Sequence, residues 1–135
     1  MSKLGSYLTN KLEAWFDVEG FPGFKVKVAY LSRQRLSDIR KAATRSKMNH
    51  RTREMEETLN EEVFMKAYIE ESILDWEGFT IGAAKELMPL SVPAEITDDT
   101  VVDYSSDEAR SLVENSTYFD GWLSEVTADL SRFQG

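Results

Sequence analysis

The sequence predicts a mainly α domain of the α+β kind, with about four to five helices and a short N-terminal β-strand or hairpin. Three observations predict it. The chain has 135 residues, 41% of them hydrophobic, which is the common size of one domain and enough apolar material to close a core. Apolar residues recur at helical spacing over 61–76 and again from Phe119 to Leu130. Alternation of period two is convincing in one place only, Phe24-Lys25-Val26-Lys27-Val28.

Met1 to Asn10 reads as a loose or weakly helical lead, with a short helical pattern around Leu8, Leu12 and Trp15. Phe21-Pro22-Gly23-Phe24 marks a turn, because Pro presets φ at its second position and Gly accepts positive φ at its third. The strand from Phe24 to Leu31 follows, with Asp17 to Phe21 as its expected partner, and such a hairpin needs helices packed on it. Ser32 caps a helix from Arg33 to about Lys47, with Leu36, Ile39 and Ala43 on a thin apolar stripe. Ser46 to Glu57 is polar and reads as a mobile loop or frayed helix end. Asn60 caps the strongest helix, Glu61 to about Trp76, which Gly78 terminates in left-handed backbone. Thr80 caps a short helix, Ile81 to Met88, ended by Pro89. Leu90 to Tyr104 is a linker-like stretch, and Ser105 with Glu108 forms a capping box for a helix through Glu114. Phe119, Trp122, Leu123, Val126 and Leu130 give a last amphipathic helix to about Phe133. The expectation is one domain over 1–135: a lead (1–14), a β arm (15–31), a basic helix (32–53), central helices (60–88) and C-terminal helices (105–133).

Composition removes most enzyme classes. There is no cysteine, hence no disulfide, thiol nucleophile or thiolate metal site, and His50 is the only histidine. No run of 18 apolar residues suits a membrane span, and Met1 to Asn10 lacks the apolar stretch of a secretory signal. The acids Asp98, Asp99, Asp103, Asp107 and Glu108 lack the alternating oxygen ligands and central Gly of an EF-hand. Glu56/Glu57 and Glu70/Glu71 are sequence neighbours, which do not face each other on a helix. No Gly-x-Ser-x-Gly elbow or phosphate-binding loop is present. The expectation is a protein that is not an enzyme, with no catalytic residue, metal or cofactor.

Charge is the strongest remaining signal. The formal net charge is −8, yet residues 1–53 hold twelve Lys and Arg against four acids, and residues 54–135 hold four against twenty. Eight cations lie in 33–53. They are able to contact phosphates, but no aromatic interleaves them to stack bases, so a protein contact is favoured over nucleic acid. The two halves either attract each other or meet complementary patches on other copies. The N-terminal aromatics Trp15, Phe16, Phe21 and Phe24 are core residues or partner anchors.

Three stretches together resemble one family. Phe21 to Thr44, with its Tyr30-Leu31-Ser32 junction, is similar to the strand-then-helix opening of the tail assembly chaperones of long-tailed bacteriophages. Phe64 to Thr80, with Asp75-Trp76-Glu77-Gly78, resembles their central helix, and Leu112 to Phe133 is similar to their Asn-Ser then Phe-Asp-x-Trp ending. The resemblance spans about residues 15–133 and carries no catalytic signature. It implies a chaperone that binds and solubilises the tape measure protein, helps recruit tail tube subunits, self-associates, works in the host cytoplasm and is absent from the mature virion. Many members are made in two lengths by a ribosomal frameshift, and this chain resembles the shorter form. Expected client or self-association contacts are Phe21, Phe24, Arg33, Arg40, Lys41 and Arg45, with Met48, Met55, Met65 and Met88 as adaptable side chains. Two alternatives are a structural head–tail or tail completion protein and a small nucleic-acid-binding or nucleic-acid-mimic regulator.

Overall fold

The structure, a computed structural model, describes residues 2–9 and 11–134. In chain order the elements are α1 (Lys3–Tyr7), β1 (Glu13–Asp17), β2 (Lys25–Ala29), α2 (Arg33–Ala42), β3 (Thr44–Asn49), β4 (Glu54–Leu59), α3 (Glu61–Ser72), β5 (Ile73–Glu77), α4 (Ile81–Leu87), α5 (Ser106–Asn115) and α6 (Thr117–Ala128), then a 3-10 turn over Leu130–Phe133.

The central strand is the one the alternation marks. In β2, Val26 and Val28 are fully buried while Lys25 and Lys27 face outward. It pairs antiparallel with β1 on one side, Phe16 opposite Val26, and with β5 on the other, Val26 opposite Trp76, with a bulge at Lys27/Val28. The turn into β2 is as its residues dictate: the Phe24 amide donates to the Phe21 carbonyl at 3.1 Å and Gly23 has φ +87°. Helices cover the apolar face of this sheet, α3 against α5, α5 against α6, and α6 across β2. Phe24 stacks on Phe79 with ring centres 4.6 Å apart and lies 6.1 Å from Phe119. Every buried side-chain polar atom among the described residues has a partner, such as Ser72, whose hydroxyl donates to the Tyr68 carbonyl.

The caps at Ser32, Asn60, Thr80 and Ser105 all form, each side-chain oxygen accepting an amide hydrogen bond from three residues on. Where the helices stop is a different matter. The basic helix ends at Ala42, not near Lys47, and the central helix ends at Ser72, where Ile73 to Glu77 becomes a strand. The last helix ends at Ala128, and the helical pattern around Leu8, Leu12 and Trp15 is replaced by α1 and β1. The partner of β2 is Glu13–Asp17, four residues earlier than expected.

The fold class needs correcting. The chain is α+β, with six α-helices, 45% helix and 22% strand in two antiparallel sheets of five strands altogether among the described residues, and its strands are not confined to an N-terminal hairpin. Three strands escaped, for two separate reasons. Ile73, Leu74 and Trp76 satisfy helical spacing as well as alternation, and extension onto the free edge of β2 decides for the strand. The second sheet, β3 with β4, occupies the stretch expected as loop; its twelve residues are almost all exposed, so it has no buried face to imprint a period.

Candidate functional site

The predicted contact residues do not form one site. Phe24 is 1% exposed at the centre of the core and is not offered to a partner. Phe21 is half-buried, 5.9 Å from the ring of Tyr118, whose hydroxyl donates to the Glu19 carbonyl. These contacts staple the aromatic turn to α6. Arg33, Arg40, Lys41 and Arg45 are all exposed. Arg40 lies over the Phe64 ring at 5.1 Å, a cation–π contact between α2 and α3.

Among the described residues, one ion pair joins the two charged halves. Arg35, at the start of α2, holds Glu71 of α3 in a two-pronged contact, with Nε donating to Oε2 at 2.9 Å. The hydrogen bond to Glu71, then its charge, raise the pKa of the guanidinium. Among the described residues, the other seven cations of 33–53 make no ion pair. All seven are exposed. The basic segment is therefore available to something outside the chain.

Surface area shows where. A compact chain of 15.4 kDa exposes roughly 7,000 Å², whereas this one exposes 9586 Å². Two exposed elements contribute to that surplus. The first is the β3–β4 hairpin, which carries Met48 and Met55 as a directly opposed, exposed pair near its tip. The second is α1, which buries no residue and presents Leu4, Tyr7 and Leu8, each at least 76% exposed. Large side chains of this kind clustered on one short helix are uncommon on a surface that stays solvated.

Between β1, the end of β2, α2 and the α3–β5 junction lies a groove of about 540 Å³. Leu12, Tyr30, Leu31 and Leu74 supply its apolar floor, and Lys11, Glu13, Arg35, Glu70 and Glu71 its charged rim. The Tyr30 amide donates to the Leu12 carbonyl at 2.8 Å, so the floor is fixed by the β1–β2 sheet. An apolar floor with an acidic and basic rim suits one face of an amphipathic segment.

No family model, curated protein or solved structure matches the chain.

Among the described residues, no three His, Asp or Glu side chains are grouped to hold a metal ion. No helix among the described residues is long and apolar enough to cross a membrane. Burial, then the charges of Asp75 and Glu70, raise the pKa of Tyr104, whose hydroxyl donates to the Ile73 carbonyl at 2.9 Å. Sequence reasoning missed the groove, because its floor comes from three separate segments. It also missed the Leu4/Tyr7/Leu8 cluster, whose signal was present as an i, i+3, i+4 apolar triplet in the lead.

Proposed function

We propose that this chain is a non-enzymatic assembly chaperone of the kind its resemblance implies: it binds the tape measure protein of a long-tailed phage, keeps it soluble and helps bring tail tube subunits to it. One observation carries the reading. The surface exceeds that of a compact chain by about a third and bears exposed apolar side chains on projections rather than in a closed pocket.

A tape measure protein is a long helical chain with apolar faces, and its holder has to cover them reversibly. The Leu12/Tyr30/Leu31/Leu74 groove accepts one such face, Leu4, Tyr7 and Leu8 extend the apolar contact, and Met48 and Met55 adapt to irregular partners. The basic segment meets acidic groups of client or copy. The protein acts in the host cytoplasm during assembly and leaves before the particle is finished.

The test that separates this reading from a structural head–tail or tail completion protein is the composition of purified particles. The chain should be present in infected-cell lysate and absent from mature virions. A fixed copy number in the virion would overturn the chaperone reading.

A further inference from the structure

The β3–β4 hairpin sorts its charge by strand. Strand β3 carries Arg45 and Lys47 and no acid, and β4 carries Glu54, Glu56 and Glu57 and no base. Register fixes the faces: Lys47 stands opposite Glu56 on one side, and Met48 opposite Met55 on the other. The ribbon is tied to the body at its root, where the Asn60 amide donates to the Ala43 carbonyl at 2.9 Å and the Thr44 hydroxyl donates to the Arg40 carbonyl. Its tip is shaped by Asn49, whose side chain accepts from the Arg51 amide, and by Arg53 at φ 62°. Among the described residues, neither outer edge pairs with another strand.

A two-stranded ribbon exposed on both faces is marginal alone, and open edges are templates for further strands. Here the two edges have opposite sign. We infer that the hairpin is a self-association element, in which the β4 edge of one copy pairs antiparallel with the β3 edge of a second copy.

Keeping the intramolecular register across that contact places Lys47 of the second copy beside Glu56 of the first and continues the Met48/Met55 row on the other face. The charged face becomes an alternating Lys–Glu ladder and the Met face a continuous apolar stripe. Pairing like with like, β3 on β3 or β4 on β4, sets cation against cation or acid against acid, so the charge pattern excludes a two-fold contact through the same edge. The contact is head-to-tail and repeats from copy to copy, closing into a ring or extending along a client. This gives the assembly reading its second partner, another copy of the chain, but it rests on the hairpin alone. Self-association is measured without client, so its failure and the failure of client binding are separate results.

The experiment is sedimentation velocity of the full chain from about 10 to about 300 µM, with Lys47→Glu and Glu56→Lys run singly and as an equimolar mixture. The wild-type chain should rise above its monomer mass with concentration and fall back as salt goes from about 50 to about 500 mM. Each variant alone puts like charges on both edges and should need a roughly tenfold higher concentration to associate. The mixture sets opposite charges against each other at every contact between copies, so association should return. Because the hairpin lies outside the core, both variants should melt with the wild type. Hydrogen exchange gives a reading that needs no variant: residues 44–59 should gain protection on association. A chain monomeric throughout the range, variants that associate like wild type, a mixture that stays dissociated, or unprotected 44–59 in the associated state would each overturn the inference. So would protection of the hairpin by a DNA oligonucleotide but not by concentration.

Discussion

Gly78 is the sharpest point at which to test the structure. It sits where β5 ends and the chain turns beneath the entry to β2, with φ +72°. A Cβ added there would lie 1.9 Å from the Gly23 carbonyl oxygen and 2.8 Å from its carbon, both backbone atoms that no rotamer change can move. Left-handed backbone costs an L-residue about 1–2 kcal/mol, and displacing packed backbone adds about 1–3 kcal/mol. Gly78→Ala should therefore lose about 2–5 kcal/mol. With an unfolding entropy of about 0.28 kcal/mol/K for this length, that lowers Tm by about 7–18 °C. Gly23→Ala is the control, since φ is +87° but no atom lies within 4 Å of the added carbon. It should lose only the conformational part, about 4–7 °C. Gly121→Ala, in α6 with no neighbour within 4 Å, should gain about 2–4 °C. Calorimetry of the three variants reads all of this. A Gly78→Ala Tm within about 2 °C of Gly23→Ala would refute the close approach, and with it the pairing of β5 on β2.

Other outcomes follow from the same geometry. Replacing Leu4, Tyr7 and Leu8 together by Ser should leave Tm within about 2 °C, since α1 buries nothing, while reducing client solubilisation; an intact soluble yield would remove α1 from the contact surface. Reversing Arg40 and Lys41 to Glu should weaken assembly at a stability cost of only about 1 kcal/mol, the Arg40–Phe64 contact included; a larger loss by denaturant melting would mean that this part of α2 is held internally. Tyr104→Phe should cost about 1 kcal/mol near neutral pH through the lost bond to Ile73. Because the folded Tyr104 pKa is raised, its share of stability is present below the unfolded value near about 10 and disappears as pH climbs through the folded value. The variant's deficit should therefore shrink in alkaline melts, and a deficit unchanged with pH would contradict the burial of that phenol.

The residues explain how far the sequence could be read. Helix starts are local: Ser32, Asn60, Thr80 and Ser105 each satisfy an amide three residues on, and that chemistry is visible in four letters. Val26 and Val28 betray β2 because one face is buried and the other wet. Helix ends depend on what the chain meets next, so Ile73 to Glu77 reads as helix until the free edge of β2 is known. The Gly78 signal was sound, since positive φ is required, but it closes a strand rather than a helix. The hairpin over 44–59 is the reverse case, held by backbone pairing and the Asn49–Glu56 hydrogen bond with no apolar face to see. For the candidate site, exposure could not be read from residue type. Phe24 and Tyr7 are both large aromatics, one at 1% and the other at 77% exposure, and only tertiary packing separates them.

The central claim is that this chain holds a tape measure protein in solution, and co-expression of the two, with a tag on this chain alone, tests it most directly. The account predicts that the tape measure protein stays in the soluble fraction and elutes with several copies of this chain. A tape measure protein that aggregates equally with and without its well-folded companion would contradict it.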